Sequence, residues 1–312
     1  MQLLFNENNE GQAEIKAVLG FLDGGFTYAN LETDIKLNTP YLIDMVGMDV
    51  YNTIAGYYVA PGNPGTELEE QLELALHYAR TYILSLAYID FAPDNDLKHS
   101  NSGRTFSSTE NEKIPWEWQV EKSNSSIRRR AYRALDQLMA LLDESKWPEW
   151  TDSDQYKRAN RIFIKNTLAF DKVFPIQRSG QLYYRLVPFM EDFENDRIRP
   201  ILTPTVFDAL KATDAPTDDQ KKLLEYIHKA VAYLSLGKGL KAFPVEMMPD
   251  GLRFQEDTKS KSEVRAETMQ FLNSEGEKYL RRLEFEIEQQ NQTFEQIDPI
   301  QGLDEDEKFV SL

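Results

Sequence analysis

Two stretches of this chain write the same helix. "TELEEQLELALHYARTYIL" begins at Thr66 and "TDDQKKLLEYIHKAVAYLS" begins at Thr217. Each opens on a Thr whose hydroxyl accepts from a helix-start N–H. Three residues on, Glu69 or Gln220 reaches back to the cap, which makes a capping box. Apolar residues then recur at helical spacing: Leu72, Leu76, Ala79, Ile83 and Leu86 in the first copy, Leu223, Ile227, Ala230 and Leu234 in the second. His77/His228, Ala79/Ala230, Tyr82/Tyr233 and Pro93/Pro244 all share one offset of 151. Ordered self-similarity of this kind marks a repeated structural unit and governs every later reading.

The correspondence extends both ways once loops change length. "MVGMDVYNTI" (Met45–Ile54) matches "ILTPTVFDAL" (Ile201–Leu210), with Val50/Val206, Tyr51/Phe207 and Ile54/Leu210 at offset 156. The loop "YYVAPGNPG" accounts for the extra residues of the first copy. Further on, "SGRTF" (Ser102–Phe106) matches "DGLRF" (Asp250–Phe254). "GGFTY" (Gly24–Tyr28) has a fainter echo in "GQLYY" (Gly180–Tyr184). A closing helix follows in each copy: Ile127, Ala131, Leu135, Leu138 and Leu142 share a face in one, and Phe271, Leu272, Tyr279, Leu280, Leu283 and Ile287 are apolar in the other. The pattern predicts a mainly α chain of two tandem repeats of a small helical unit, residues 1–150 and 151–290. Each repeat has an extended arm or β-hairpin between helices. The polar stretch Asp143–Gln155, with Pro148, marks the junction. Residues 291–312 read as an acidic, flexible tail or docking peptide.

The first arm is expected to run from Pro93 to about Ser123, longer than a plain helix connection. Gly103 and Gly251 would supply a turn at positive φ.

At 312 residues with 41% hydrophobic content, the chain is long enough for two cored domains. Its net charge of −17 disfavours generic nucleic-acid binding, because an acidic surface repels phosphate. The absence of cysteine removes disulfides, thiol nucleophiles and thiolate metal sites together. No apolar run approaches a membrane span, and "MQLLFNENNEG" lacks the basic and apolar regions of a signal peptide.

Catalytic patterns are missing. His77 and His228 have no second ligand-type residue three or four positions away, so a structural role is expected for both and no metal. The loop with Asp94, Asp96 and His99 fails the calcium-loop pattern at its Gly and Glu positions. "SLGKGLKA" (Ser235–Ala242) lacks the first Gly and the final Ser or Thr of a phosphate loop, and its Gly and Lys read as helix-end signals. No cofactor and no enzymatic activity are expected.

Two features point instead to contacts between chains. "IRRRAYR" sets Arg128, Arg129 and Arg130 at the start of a helix, against an otherwise acidic chain. The alternatives are a solvated face or a patch that orients the acidic surface of a neighbouring copy. "PWEWQ" adds Trp116 and Trp118, which share a face if the segment is a strand. These two either anchor an interface or close a small core.

The pattern "VGMDVYNTI" followed by "LELALHYARTYI" resembles the head–tail connector (adaptor) proteins of tailed bacteriophages, and is similar to an uncharacterised family of prophage virion proteins that carries such a unit twice. The resemblance spans about Asn38 to Ile287. It implies a non-enzymatic building block that forms a homo-oligomeric ring and meets portal and tail proteins, in the host cytoplasm during assembly and then in the virion. It supplies no catalytic residues. Two departures bear on the ring stoichiometry: simple adaptors have one unit, and this final tail is longer. The alternative is a soluble binding or regulatory module that uses the cleft between the two units.

Overall fold

The computed structural model describes residues 1–23, 25–62, 65–96, 98–100, 103–105, 115–244, 247–248 and 261–291. The first unit begins with α1 (Gly11–Val18), α2 (Tyr28–Val46), α3 (Met48–Val59) and α4 (Glu67–Asn95), and closes with α5 (Glu117–Ser145). Between α4 and α5, β1 (Lys98–Ser100) pairs antiparallel with β2 (Gly103–Thr105), Ser100 opposite Gly103. Three short helices follow: α6 (Pro148–Thr151), α7 (Asp154–Ala159) and α8 (Thr167–Val173). The second unit holds α9 (Gly180–Phe193), a π-helical turn (Glu194–Ile198), α10 (Arg199–Ile201), α11 (Pro204–Ala212), α12 (Asp218–Ala242) and α13 (Lys261–Asn291).

The chain carries one helical unit twice. Helix α3 starts at Met48 and α11 at Pro204, the offset of 156 read from sequence; α4 starts at Glu67 and α12 at Asp218, the offset of 151. Thr66 Oγ1 accepts from the Glu69 N–H, and Thr217 Oγ1 from that of Gln220. Only the second completes the predicted capping box, the Thr217 N–H donating to Gln220 Oε1 at 2.9 Å, while Thr66 caps its helix without the reciprocal bond. His77 and His228 stand at the same position of these two helices. Tyr51 and Phe207 are both buried, as are Ile54 and Leu210. In each unit the long central helix packs on the closing helix, α4 on α5 and α12 on α13, and on an earlier helix, α2 or α9.

Three local expectations are corrected. Helix α4 runs through Pro93 to Asn95. A proline in the last turn forfeits one ladder bond but ends the helix only a few residues later. Helix α5 begins at Glu117, before Ser123, so Trp116 and Trp118 are not a strand pair: Trp116 is the N-cap residue and Trp118 lies in the first turn. The glycines of "SLGKGLKA" do not end α12, which continues to Ala242. They mark close approach instead. A Cβ at Gly237 would stand 2.6 Å from Asn273 Oδ1 on α13, and one at Gly239 would stand 2.7 Å from Leu186 Cδ2 on α9. The sequence-predicted turn at Gly251, the rest of the first arm (residues 106–114) and the acidic tail beyond Asn291 lie outside the described residues.

The junction is a packed seam. Trp150 in α6 is fully buried and Trp147 nearly so. Trp147 Nε1 donates to Gln71 Oε1 of α4 at 2.9 Å, and Trp150 Nε1 donates to Asp143 Oδ1 of α5 at 2.9 Å. Helix α5 packs directly on α9, and one contiguous apolar cluster runs through both units.

Candidate interaction surface and buried polar sites

The first turn of α5 is the most exposed aromatic feature of the described chain. Trp116 is 71% exposed and Trp118 60%. The Trp116 N–H donates to Gln119 Oε1 at 3.0 Å, which fixes the helix start without burying either indole. Of the next residues, Gln119–Ser126, only Val120 is apolar, and it is half-buried; the fully buried stripe begins at Ile127. The start of α5 therefore lies ahead of the fully buried stripe.

The arginines follow on the same helix. At about 100° per residue, Arg128, Arg129 and Arg130 fan over roughly 200° and form no single patch. Arg129, eleven residues after Trp118, returns to the Trp118 face within about 20° and lies roughly 16 Å further along. Arg130 sets its guanidinium 5.7 Å from the Phe21 ring centroid. Arg128 is half-buried and engaged within the fold. Of the three, Arg129 is the one that extends the Trp118 face.

A cleft of about 680 Å³ opens between α1, α3 and α4, lined by Glu14, Tyr57, Tyr58, Glu73, His77 and Arg80 among others. Its floor is a clamp. Arg80 donates to Glu14 Oε1 at 2.6 Å and to the Leu4 carbonyl at 2.7 Å, and its guanidinium lies 4.4 Å from the Tyr58 ring centroid. Tyr58 Oη donates to Glu14 Oε1 at 2.9 Å and accepts from the Glu7 N–H at 2.8 Å. The Asn6 N–H donates to Glu14 Oε2 at 2.7 Å. The clamp seats Leu4 and Phe5 in the core. Burial, with Glu14 nearby, raises the Tyr58 pKa. His77 is exposed on the lip.

In the second unit the buried charge is Glu194, at the head of the π-helical turn and without exposed surface. Its Oε1 accepts from the Phe163 N–H at 2.7 Å, and its Oε2 faces Lys211 Nζ at 2.7 Å. Burial outweighs the lysine and pushes the carboxyl up to about 7. His228 is half-buried beside this cluster, and burial lowers its pKa against an opposing backbone hydrogen bond to Phe163. Asp136 on α5 accepts from Ser179 Oγ at 2.9 Å and from the Gln181 N–H at 3.0 Å at the start of α9. Burial raises its pKa to about 6. These carboxylates organise backbone and helix ends. Among the described residues no group of three or more His, Asp or Glu converges as a metal cage, and no helix is long and apolar enough to cross a membrane.

Sequence reasoning missed Asp136, Asp143 and Glu194, because the partners of each arrive from elsewhere in the chain: Ser179 and Gln181 for Asp136, Trp150 and Tyr184 for Asp143, Phe163 and Lys211 for Glu194. A family described as "Family of unknown function (DUF6712)" matches residues 42–160 and again residues 198–304. These spans cover well over half of the chain, and it belongs to that family, carrying its unit twice. No curated protein and no solved structure matches it.

Proposed function

We propose that the chain is a non-enzymatic assembly protein, akin to the head–tail connectors of tailed phages, that forms oligomers through the start of α5. The observation that carries this reading is the pair Trp116 and Trp118, 71% and 60% exposed at a helix start whose fully buried stripe begins only at Ile127. An exposed tryptophan, Trp118, with Arg129 on the same helix face has the composition of an interface hot spot. Supporting it, a duplicated helical unit with a rigid seam offers two related surfaces per chain, which suits ring or layer assembly. The partners are further copies and, in this reading, portal and tail proteins. The place of action is the host cytoplasm and then the virion.

The alternative, a binding module working through a cleft between the units, gains no support from the seam, which Trp150 and Tyr184 fill. Light scattering of the full chain over a wide concentration range separates the readings. A concentration-dependent ring or higher oligomer favours assembly. A monomer at every concentration overturns it.

A further inference from the structure

A second surface, on the opposite end of the sequence, has its own chemistry. A groove of about 440 Å³ lies between α12 and α13, lined by Lys222, Tyr226, Lys278, Arg281, Arg282 and Phe285, with Glu286 at its edge. Lys278, Arg281, Arg282 and Phe285 follow the spacing that places residues on one helix face. Lys222 is paired with Glu286 at 2.6 Å and Lys278 with Glu275 at 2.9 Å. Arg281 and Arg282 are exposed, and neither forms an ion pair among the described residues. Arg282 lies 5.4 Å from the Tyr279 ring centroid, and Phe285 is 59% exposed. Two arginines without an ion pair among the described residues, beside an exposed ring, stand out on a chain of net charge −17.

The same chain contains a segment of the complementary pattern. Residues 304–310 read "DEDEKFV": four consecutive carboxylates, then Lys308, then Phe309 and Val310. We infer that this segment docks in the α12–α13 groove of its own chain. Asp304–Glu307 meet Arg281 and Arg282, and Phe309 lies against Phe285 and Tyr226.

Reach and tether favour the same chain over a second copy. Helix α13 ends at Asn291, and residues 292–303 separate it from Asp304. Twelve residues span up to about 40 Å. Arg281 lies only about 15 Å back along the helix axis. A tether that short holds its ligand at an effective concentration near the millimolar range, above any ordinary concentration of a second copy. The attraction is electrostatic at an exposed site, so it weakens steeply with salt.

The absence of cysteine makes the test direct. Asp219→Cys, on α12 one turn before Lys222, is combined with Ser311→Cys in the full-length chain, and disulfide formation is followed on non-reducing gels. The expected result is a monomeric cross-link that forms at least about tenfold faster at low than at high salt, and about tenfold faster than in an Arg281→Glu/Arg282→Glu background. Adding Asp304→Lys/Glu305→Lys to that background restores the rate, which separates lost complementarity from lost folding. Equal rates in the two backgrounds overturn the inference, and so does failure of the charge swap to rescue. Cross-linking only into covalent dimers overturns it as well, because the segment then docks on another copy.

Discussion

Tyr184 Oη of α9 donates to Asp143 Oδ1 of α5 at 2.6 Å, so a helix of the second unit hangs from the closing helix of the first. The same oxygen takes the Trp150 indole N–H, and the Trp150 and Tyr184 rings meet edge to face with centroids 5.2 Å apart. One carboxylate thus serves two buried donors at the point where the units join.

That geometry predicts unequal costs. Tyr184→Phe removes one hydrogen bond to a charged acceptor and is expected to cost about 1.5–3 kcal/mol. Asp143→Ala strands two donors and should cost more than Tyr184→Phe. Trp150→Ala opens a large void and should cost about 3–5 kcal/mol. Urea denaturation measures all three. Because one core spans the units, the wild-type chain should unfold in a single transition; two resolved transitions would show that the seam is weaker than its contacts imply.

Glu194 sets a pH dependence. Its folded pKa is raised from 4.5 to about 7. The native state therefore holds a proton that the unfolded chain gives up, and stability is lost as pH rises through that window. The loss amounts to about 3 kcal/mol, at 1.36 kcal/mol per pKa unit. Asp136, raised from 3.8 to about 6, acts in the same direction over a more acidic window. His228 acts in the opposite direction: its lowered pKa removes stability as pH falls through the ordinary histidine range. The decisive measurement compares wild type with Glu194→Gln. Denaturation at about pH 5 and about pH 8 should show a smaller decline with rising pH in the variant.

What the sequence displayed was local and periodic. Thr66 and Thr217 announced their helices because an N-cap needs only residues a turn apart. Ile127 to Leu142 announced the buried face of α5 because the stripe repeats. The early start of α5 was hidden because its first turns carry no apolar stripe. "PWEWQ" mimicked strand alternation over too few residues to distinguish the two periods. Pro93 suggested a helix end, yet the Asp96 N–H still reaches the Ala92 carbonyl at 3.0 Å. Gly237 and Gly239 looked like stop signals because their partners, Asn273 and Leu186, are remote in sequence. Trp150 and Glu194 were illegible for the same reason: each is buried by residues tens of positions away.

The clamp at Arg80 predicts a large effect from a conservative change in size. Arg80 and Glu14 side chains are only 16% and 13% exposed. Arg80→Met leaves Glu14 with a buried charge and frees the Leu4 carbonyl. Breaking a buried pair from one side typically costs about 3–5 kcal/mol. Glu14→Gln combined with Arg80→Met should recover part of that loss, because the stranded charge is gone. Hydrogen exchange at Leu4, Phe5 and Asn6 reads the clamp directly: protection there should fall in Arg80→Met, while amides in α12 stay protected.

The interface proposal makes the sharpest demand on Trp118. The side chain is 60% exposed, so its removal should leave the melting temperature of the isolated protomer nearly unchanged. Truncating a hot-spot tryptophan costs about 2 kcal/mol or more, which is roughly thirtyfold in affinity at 1.4 kcal/mol per tenfold. Sedimentation velocity on Trp118→Ala should therefore show the assembly midpoint shifted by at least about thirtyfold in concentration. Arg129→Ala, on the same face, should shift it in the same direction and by less, with the difference shrinking at high salt. Arg130→Ala, off that face and over Phe21, should leave assembly unchanged. An assembly midpoint that responds to Arg130 but not to Arg129 would place the contact on a different side of α5, and one indifferent to Trp118 would remove the start of this helix from the interface altogether.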